Sequence, residues 1–110
     1  MKELFDILNP FDNWENNAGD EKNFEAKQAL STFYIEIKKL KPDREYKNDF
    51  LHISYLNYLV RIKKAFIEQK YMLVCNEMIS LMHYEPFFQG RIYYNVINLL
   101  EEGLGINENF

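Results

Sequence analysis

The sequence predicts an all-α protein, either a small bundle of four to five helices or a set of paired helical hairpins, in a single domain. Apolar residues recur at alternating spacings of three and four, which is the period of an amphipathic helix. Glycine and proline are scarce, with four and three in 110 residues, whereas β domains with many tight turns need more of both. The hydrophobic fraction of 47% is sufficient for one core.

We divide residues 1–110 into a short N-terminal helix and loop (1–19), the main helices (20–103) and a tail (104–110). The first helix is expected over residues 2–8, and Pro10 ends it because the residue before a proline is disfavoured in the helical region. The apolar side chains of this region are expected to cap one end of the bundle; the alternative is an amphipathic arm that docks into a partner's groove. These side chains are Leu4, Phe5, Leu8, Phe11 and Trp14.

The second helix is predicted to start after Asp20, a suitable N-cap residue, and to end before Pro42. One continuous apolar stripe runs along it, with spacings of 4, 3, 4 and 3. The stripe consists of Ala26, Leu30, Phe33, Ile37 and Leu40.

We expect residues 43–84 to form either one very long helix or two helices joined by a tight turn at 68–70. Typical helix lengths favour two helices. The first half carries two neighbouring apolar stripes, so we expect this helix to lie at the centre of the bundle. One stripe contains Tyr46, Phe50, Ile53 and Val60, and the other contains Tyr55, Leu59, Ile62 and Phe66. The second half repeats the helical period at Tyr71, Val74, Met78 and Leu81.

The last helix is predicted from Phe87 or Phe88 to Glu102, with Gly103 as the C′ residue that ends it. Glu101 and Glu102 lie at the C-terminal end, where the helix dipole disfavours acidic residues. The default interpretation is a solvated helix end, and the alternative is an acidic contact for a basic partner.

Charge is distributed in blocks behind the net value of −4. Residues 1–25 hold seven acids and two bases, residues 26–70 ten bases and five acids, and residues 71–110 five acids and one base. A basic middle suggests nucleic-acid binding, with Tyr55 and Tyr58 as stacking candidates. Because the pI is about 5.2, the preferred interpretation is that the acidic flanks fold back and neutralise the basic helices. The basic candidates are Lys38, Lys39, Lys41, Arg61, Lys63 and Lys64.

Catalytic and metal-binding motifs are missing from the sequence. His52 and His83 form no H-x-x-x-H pair, and a single cysteine provides neither a zinc site nor an internal disulfide. Cys75 shares an apolar face with Val74 and Met78, so we interpret it as a core residue. No phosphate-binding glycine loop or G-x-S-x-G motif occurs. We therefore expect no enzyme activity, no metal and no cofactor.

Membrane and export signals are also missing. The longest apolar run is far shorter than the roughly 20 residues of a spanning helix. Glu3 and Asp6 lie where a signal peptide needs a basic start and an apolar stretch. Together with the single cysteine, these features predict a cytoplasmic protein.

The leading functional hypothesis is a small acidic module that binds another protein, with a second copy of the chain as a variant. Tyrosine suits contact surfaces, and the chain has eight tyrosines among its aromatic residues. Size and charge are typical of an inhibitor, an immunity or anti-defence factor, or an accessory subunit, from a bacterial or phage genome rich in A and T. The alternative is a nucleic-acid-binding accessory protein that uses the basic residues above. The partner-binding candidates are Trp14, Tyr55, Tyr58, Tyr94, Glu101 and Glu102.

Overall fold

The computed structural model describes residues 2–12, 19–39, 53–83 and 91–106, and these ranges contain helices and no strand. The predicted all-α class is therefore confirmed, as a small helical bundle around one apolar core. The helices are α1 (Lys2–Leu8), α2 (Gly19–Lys38), α3 (Ile53–Ile67), α4 (Tyr71–Met82) and α5 (Arg91–Leu104), with a 3₁₀ turn at Asn9–Phe11 after α1.

The N-terminal segment packs onto the bundle and does not project as an arm. Leu4, Leu8 and Phe11 are buried in the common core, and Pro10 lies in the 3₁₀ turn that follows α1. Asn76 on α4 donates its side-chain amide to the Asp12 backbone carbonyl at 2.8 Å, which fixes the end of this turn. Trp14 lies outside the described residues.

Helix α2 buries the predicted stripe, since Ala26, Leu30, Phe33 and Ile37 are fully buried, while Leu40 lies outside the described residues. The helix begins at Gly19, so Asp20 lies in the first turn and is not the N-cap. A carboxylate in the first turn is still favourable because the N-terminal end of the helix dipole is positive.

Residues 53–82 form two helices, which is the alternative that typical helix lengths favoured. The turn between them contains neither glycine nor proline. The Gln69 N–H donates to the Phe66 carbonyl at 3.0 Å and the Lys70 N–H donates to the Ala65 carbonyl at 2.9 Å. This is the Schellman pattern, which needs a left-handed residue at C′. Gln69 takes that role with φ of 59°.

The central helix is α4, and the prediction that the helix before it would be central is wrong. Seven of the twelve residues of α4 are buried, and it packs against α1, α2 and α3. Among the described helices, α3 packs mainly against α4 and α5, so these helices cover only one side of its wide apolar arc. Val60, which the sequence assigned to a buried stripe, is 65% exposed for this reason.

Helix α5 extends through Gly103 to Leu104, so Gly103 is not its C′ residue and Leu104 does not belong to the tail. Gly105, with φ of 70°, is the C′ residue: its N–H donates to the Glu102 carbonyl and the Ile106 N–H to the Glu101 carbonyl. Gly103 instead serves packing, because a Cβ there would lie 2.6 Å from Phe66 Cδ1. The predicted start at Phe87 or Phe88 lies outside the described residues.

Candidate interaction surface

Glu101 and Lys38, which the sequence assigned to competing binding hypotheses, meet between α2 and α5. The Tyr34 hydroxyl donates to Glu101 Oε2 at 2.7 Å, and Lys38 Nζ lies 3.7 Å from the same oxygen. Lys38 also lies over the Tyr34 ring, 5.5 Å from its centroid. The position of Glu101 at a helix C-terminus is thus explained by contacts inside the molecule.

Arg61 and Tyr58 likewise contact each other. The guanidinium carbon of Arg61 lies 4.4 Å from the centroid of the half-buried Tyr58 ring, and Arg61 Nε donates to Glu77 Oε2 at 3.1 Å. The contact with the Tyr58 ring lies within α3, whereas the hydrogen bond to Glu77 connects α3 to α4. They agree with the interpretation that acidic residues after position 70 neutralise the basic middle of the chain.

Of the other basic candidates, Lys39 is paired locally with Glu36, at 3.1 Å. Lys63 and Lys64 are exposed on α3 and form no ion pair with any residue that the structure describes. Lys41 lies outside the described residues. The basic block therefore presents two adjacent cations on one helix that are not neutralised by the described residues.

An exposed apolar row runs along the outer side of α3, between these two lysines. It consists of Leu56, Val60 and Ile67, which are 45%, 65% and 73% exposed. The spacings of four and seven place the three side chains on one stripe of the helix, about 17 Å long. We call Leu56, Val60 and Ile67 the α3 row.

A groove of about 180 Å³ lies beside the α3 row, where α3 approaches α5. A side chain at position 103 would collide with the Phe66 ring, so glycine at this position lets the two helices approach closely. Glu102, one of the predicted partner-binding residues, stands at this groove and is exposed. The lining residues are Lys63, Phe66, Ile67, Leu99, Glu102 and Gly103.

Tyr94 is 37% exposed on α5 and meets the buried Tyr93 ring edge-on, with centroids 5.2 Å apart. The Tyr93 hydroxyl donates to the Ile37 carbonyl at 2.8 Å. Burial raises the pKa of Tyr93, and the charge of Lys38 opposes that rise. Tyr94 is thus available at the surface while Tyr93 is structural. The side chain of Tyr55 is outside the described part of α3.

Sequence reasoning missed the α3 row, although the signal was present. Leu56 and Ile67 belong to neither predicted stripe, yet they lie on the same side of the helix as Val60. A stripe of apolar residues shows that a helix has an apolar side; which neighbouring helix covers it depends on tertiary packing.

Cys75 and His83 both make packing contacts inside the molecule. Cys75 is fully buried, with Sγ 3.9 Å from the Ala26 carbonyl oxygen, and burial raises the pKa of its thiol. His83 is exposed and stacks on the Phe5 ring at 4.8 Å, whereas His52 lies outside the described residues. Within the described ranges, no group of three His, Cys, Asp or Glu side chains is arranged to hold a metal ion.

None of the described helices combines the length and hydrophobicity that crossing a membrane requires. No protein-family model matches the chain, and neither a curated protein nor a solved structure is significantly similar to it.

Proposed function

We propose that this chain is a small protein–protein interaction module without catalytic activity of its own. It binds another protein and acts as an inhibitor, an immunity or anti-defence factor, or an accessory subunit. We place the protein in the cytoplasm of a bacterium. Its gene would belong to a bacterial or phage genome rich in A and T.

The α3 row is the observation that carries this proposal. Three large aliphatic side chains remain exposed on one stripe of a helix, and they adjoin a groove whose walls include Phe66 and Leu99. Contiguous exposed apolar surface with a polar rim is typical of protein interfaces. The described basic residues support nucleic-acid binding less well, because Lys38, Lys39 and Arg61 all contact acidic residues of the same molecule.

The test is an affinity purification with the full chain as bait, from a lysate of the source organism that is divided into nuclease-treated and untreated halves. A protein partner that stays bound in stoichiometric amount after nuclease treatment is the expected result. If only nucleic acid is captured, and nuclease removes it, the proposal is wrong and the basic alternative takes its place.

Two aspartate variants make the purification specific for the α3 row. Val60→Asp places a charge in the middle of the row and is expected to release the partner. Ile35→Asp is the matched control, since Ile35 is also β-branched, 55% exposed and helical, but lies on α2. Thermal unfolding of both variants verifies that neither loses the fold.

A further inference from the structure

We infer that the α3 row and the adjoining groove bind an acidic amphipathic helix of a partner protein. This inference rests on the proposed function and specifies its site and the chemistry of its partner.

The shape of the surface favours a helix as the bound element. The α3 row is straight and spans about three helical turns, which matches the apolar stripe of a second helix packed alongside it. The groove continues the row sideways, because Ile67 belongs to both. A large apolar side chain of the partner helix would enter the groove against Phe66 and Leu99.

The charges on the two sides of the row determine the sign of the charge that the partner helix should carry. Successive helix positions differ by about 100°, which places Lys63 on the groove side of the row and Lys64 on the opposite side. Neither lysine has an ion-pair partner among the described residues. Among the described residues that line the groove, Glu102 is the one acidic side chain. A helix with carboxylates on both edges of its apolar stripe would pair with both lysines.

A second copy of this chain fits the same surface less well. Two α3 helices related by a twofold axis would pack parallel or antiparallel, and in either arrangement full burial of both rows places the middle of one row against the middle of the other. The middle of the row lies next to Lys63 and Lys64. Such a dimer would therefore bring four lysine side chains together, and like charges at an interface oppose association.

The test uses two synthetic helical peptides of about 20 residues, long enough to cover the row. Both carry leucine at positions i, i+4, i+7 and i+11; one has glutamate and the other lysine on the two flanks. Binding to the full chain is measured by fluorescence anisotropy at low and physiological salt, and the site is mapped by amide chemical shifts. Light scattering of the chain alone reports its oligomeric state.

We expect the glutamate peptide to bind at least about tenfold more tightly than the lysine peptide, with shifts along α3 and at residues 99–103. Val60→Asp should weaken binding about tenfold or more, while Ile35→Asp should leave it unchanged. The double variant Lys63→Glu, Lys64→Glu should reverse the preference between the peptides. A merely structural role of these lysines would not produce that reversal.

Equal affinity for the two peptides, or no binding of either, overturns the inference. So does a concentration-dependent dimer that Val60→Asp dissociates, which would identify a second copy as the occupant. So does binding of a single-stranded oligonucleotide that needs Lys63 and Lys64 and tolerates Val60→Asp. The failure of this site and the failure of the proposed function are distinguishable. A lysate protein retained equally by the wild type and Val60→Asp would refute this site and leave the proposed function standing, whereas capture of nucleic acid alone would refute the proposed function.

Discussion

Gln69 is the residue where local conformation and side-chain type disagree. Its φ of 59° is left-handed, a conformation that costs a residue with a Cβ roughly 1–2 kcal/mol. Gln69→Gly removes that strain but increases the entropy of the unfolded chain, so we expect a net gain of about 0.5–1 kcal/mol in the free energy of unfolding. Urea denaturation measures it. Gln69→Ala, which keeps a Cβ, is the control and should give no such gain; equal gains from both variants would contradict the explanation.

Tyr93 connects α5 to α2 through one buried hydrogen bond to the Ile37 carbonyl. Tyr93→Phe removes the donor, and we expect a loss of about 0.5–1.5 kcal/mol in the free energy of unfolding at neutral pH. Tyr94→Phe changes the exposed neighbouring ring and keeps this hydrogen bond, so its stability at neutral pH should equal that of the wild type. A wild-type value for Tyr93→Phe would show that the bond contributes nothing.

The raised pKa of Tyr93 makes the free energy of unfolding depend on pH. Because burial raises the pKa of Tyr93 above its ordinary value of 10.0, the unfolded chain loses this proton before the folded protein does. The contribution of Tyr93 to stability is therefore complete below pH 10 and declines as the pH rises through the folded-state pKa. Chemical denaturation between pH 8 and 11 should show a shallower decline for Tyr93→Phe than for the wild type. Parallel curves would refute the assignment.

At the scale of elements, one side chain of α2 holds the turn between α3 and α4. Asn23 donates to the Gln69 carbonyl at 2.8 Å and accepts from the Tyr71 N–H, 2.9 Å away, so it supplies the cap that Lys70 does not. Asn23→Ala removes both bonds and should lower the free energy of unfolding by about 1–3 kcal/mol. Asn23→Asp keeps the acceptor and loses only the donor, so its free energy of unfolding should lie between those of the wild type and Asn23→Ala. Equal stability of Asn23→Ala and wild type would contradict this role.

The approach of α3 to α5 depends on Gly103. Gly103→Ala places a methyl group against the Phe66 ring, and overpacking of this kind costs about 1–3 kcal/mol. Because the cost comes from one contact, Phe66→Leu should relieve part of it. A double-mutant cycle measured by thermal unfolding should show that the two substitutions together cost less than their sum. Additive effects would mean that another contact limits the spacing of the helices.

At the scale of the whole molecule, the single cysteine reports on opening of the core. Cys75 is fully buried and its thiol pKa is raised, so we expect a thiol reagent at pH 8 to modify the native protein slowly, at a rate set by unfolding. Denaturant should make the reaction fast and complete. In the variant Cys75→Ala, Thr32→Cys, the thiol is on the exposed side of α2 and should react quickly without denaturant. Fast labelling of native Cys75 would contradict its burial.

The sequence by itself determined the helical class, the stripe on α2, the end of α1 at Asn9-Pro10 and the burial of Cys75. These features depend on local spacing, on proline geometry and on the preference of apolar side chains for the interior. The roles of Gly103 and Gln69 could not be predicted, because both depend on neighbouring structure: a ring from another helix in one case, a left-handed turn without glycine in the other.

Only the tertiary structure decided which helix is central and which charges are neutralised. The sequence placed Lys38 with nucleic-acid binding and Glu101 with protein binding, but residues 63 positions apart in the chain form one cluster with Tyr34. It also assigned Val60 to the core, whereas among the described helices α3 packs mainly against α4 and α5, and the α3 row stays exposed. Periodicity shows that a helix has an apolar side. Whether that side is buried or available to a partner depends on which other helices fold against it.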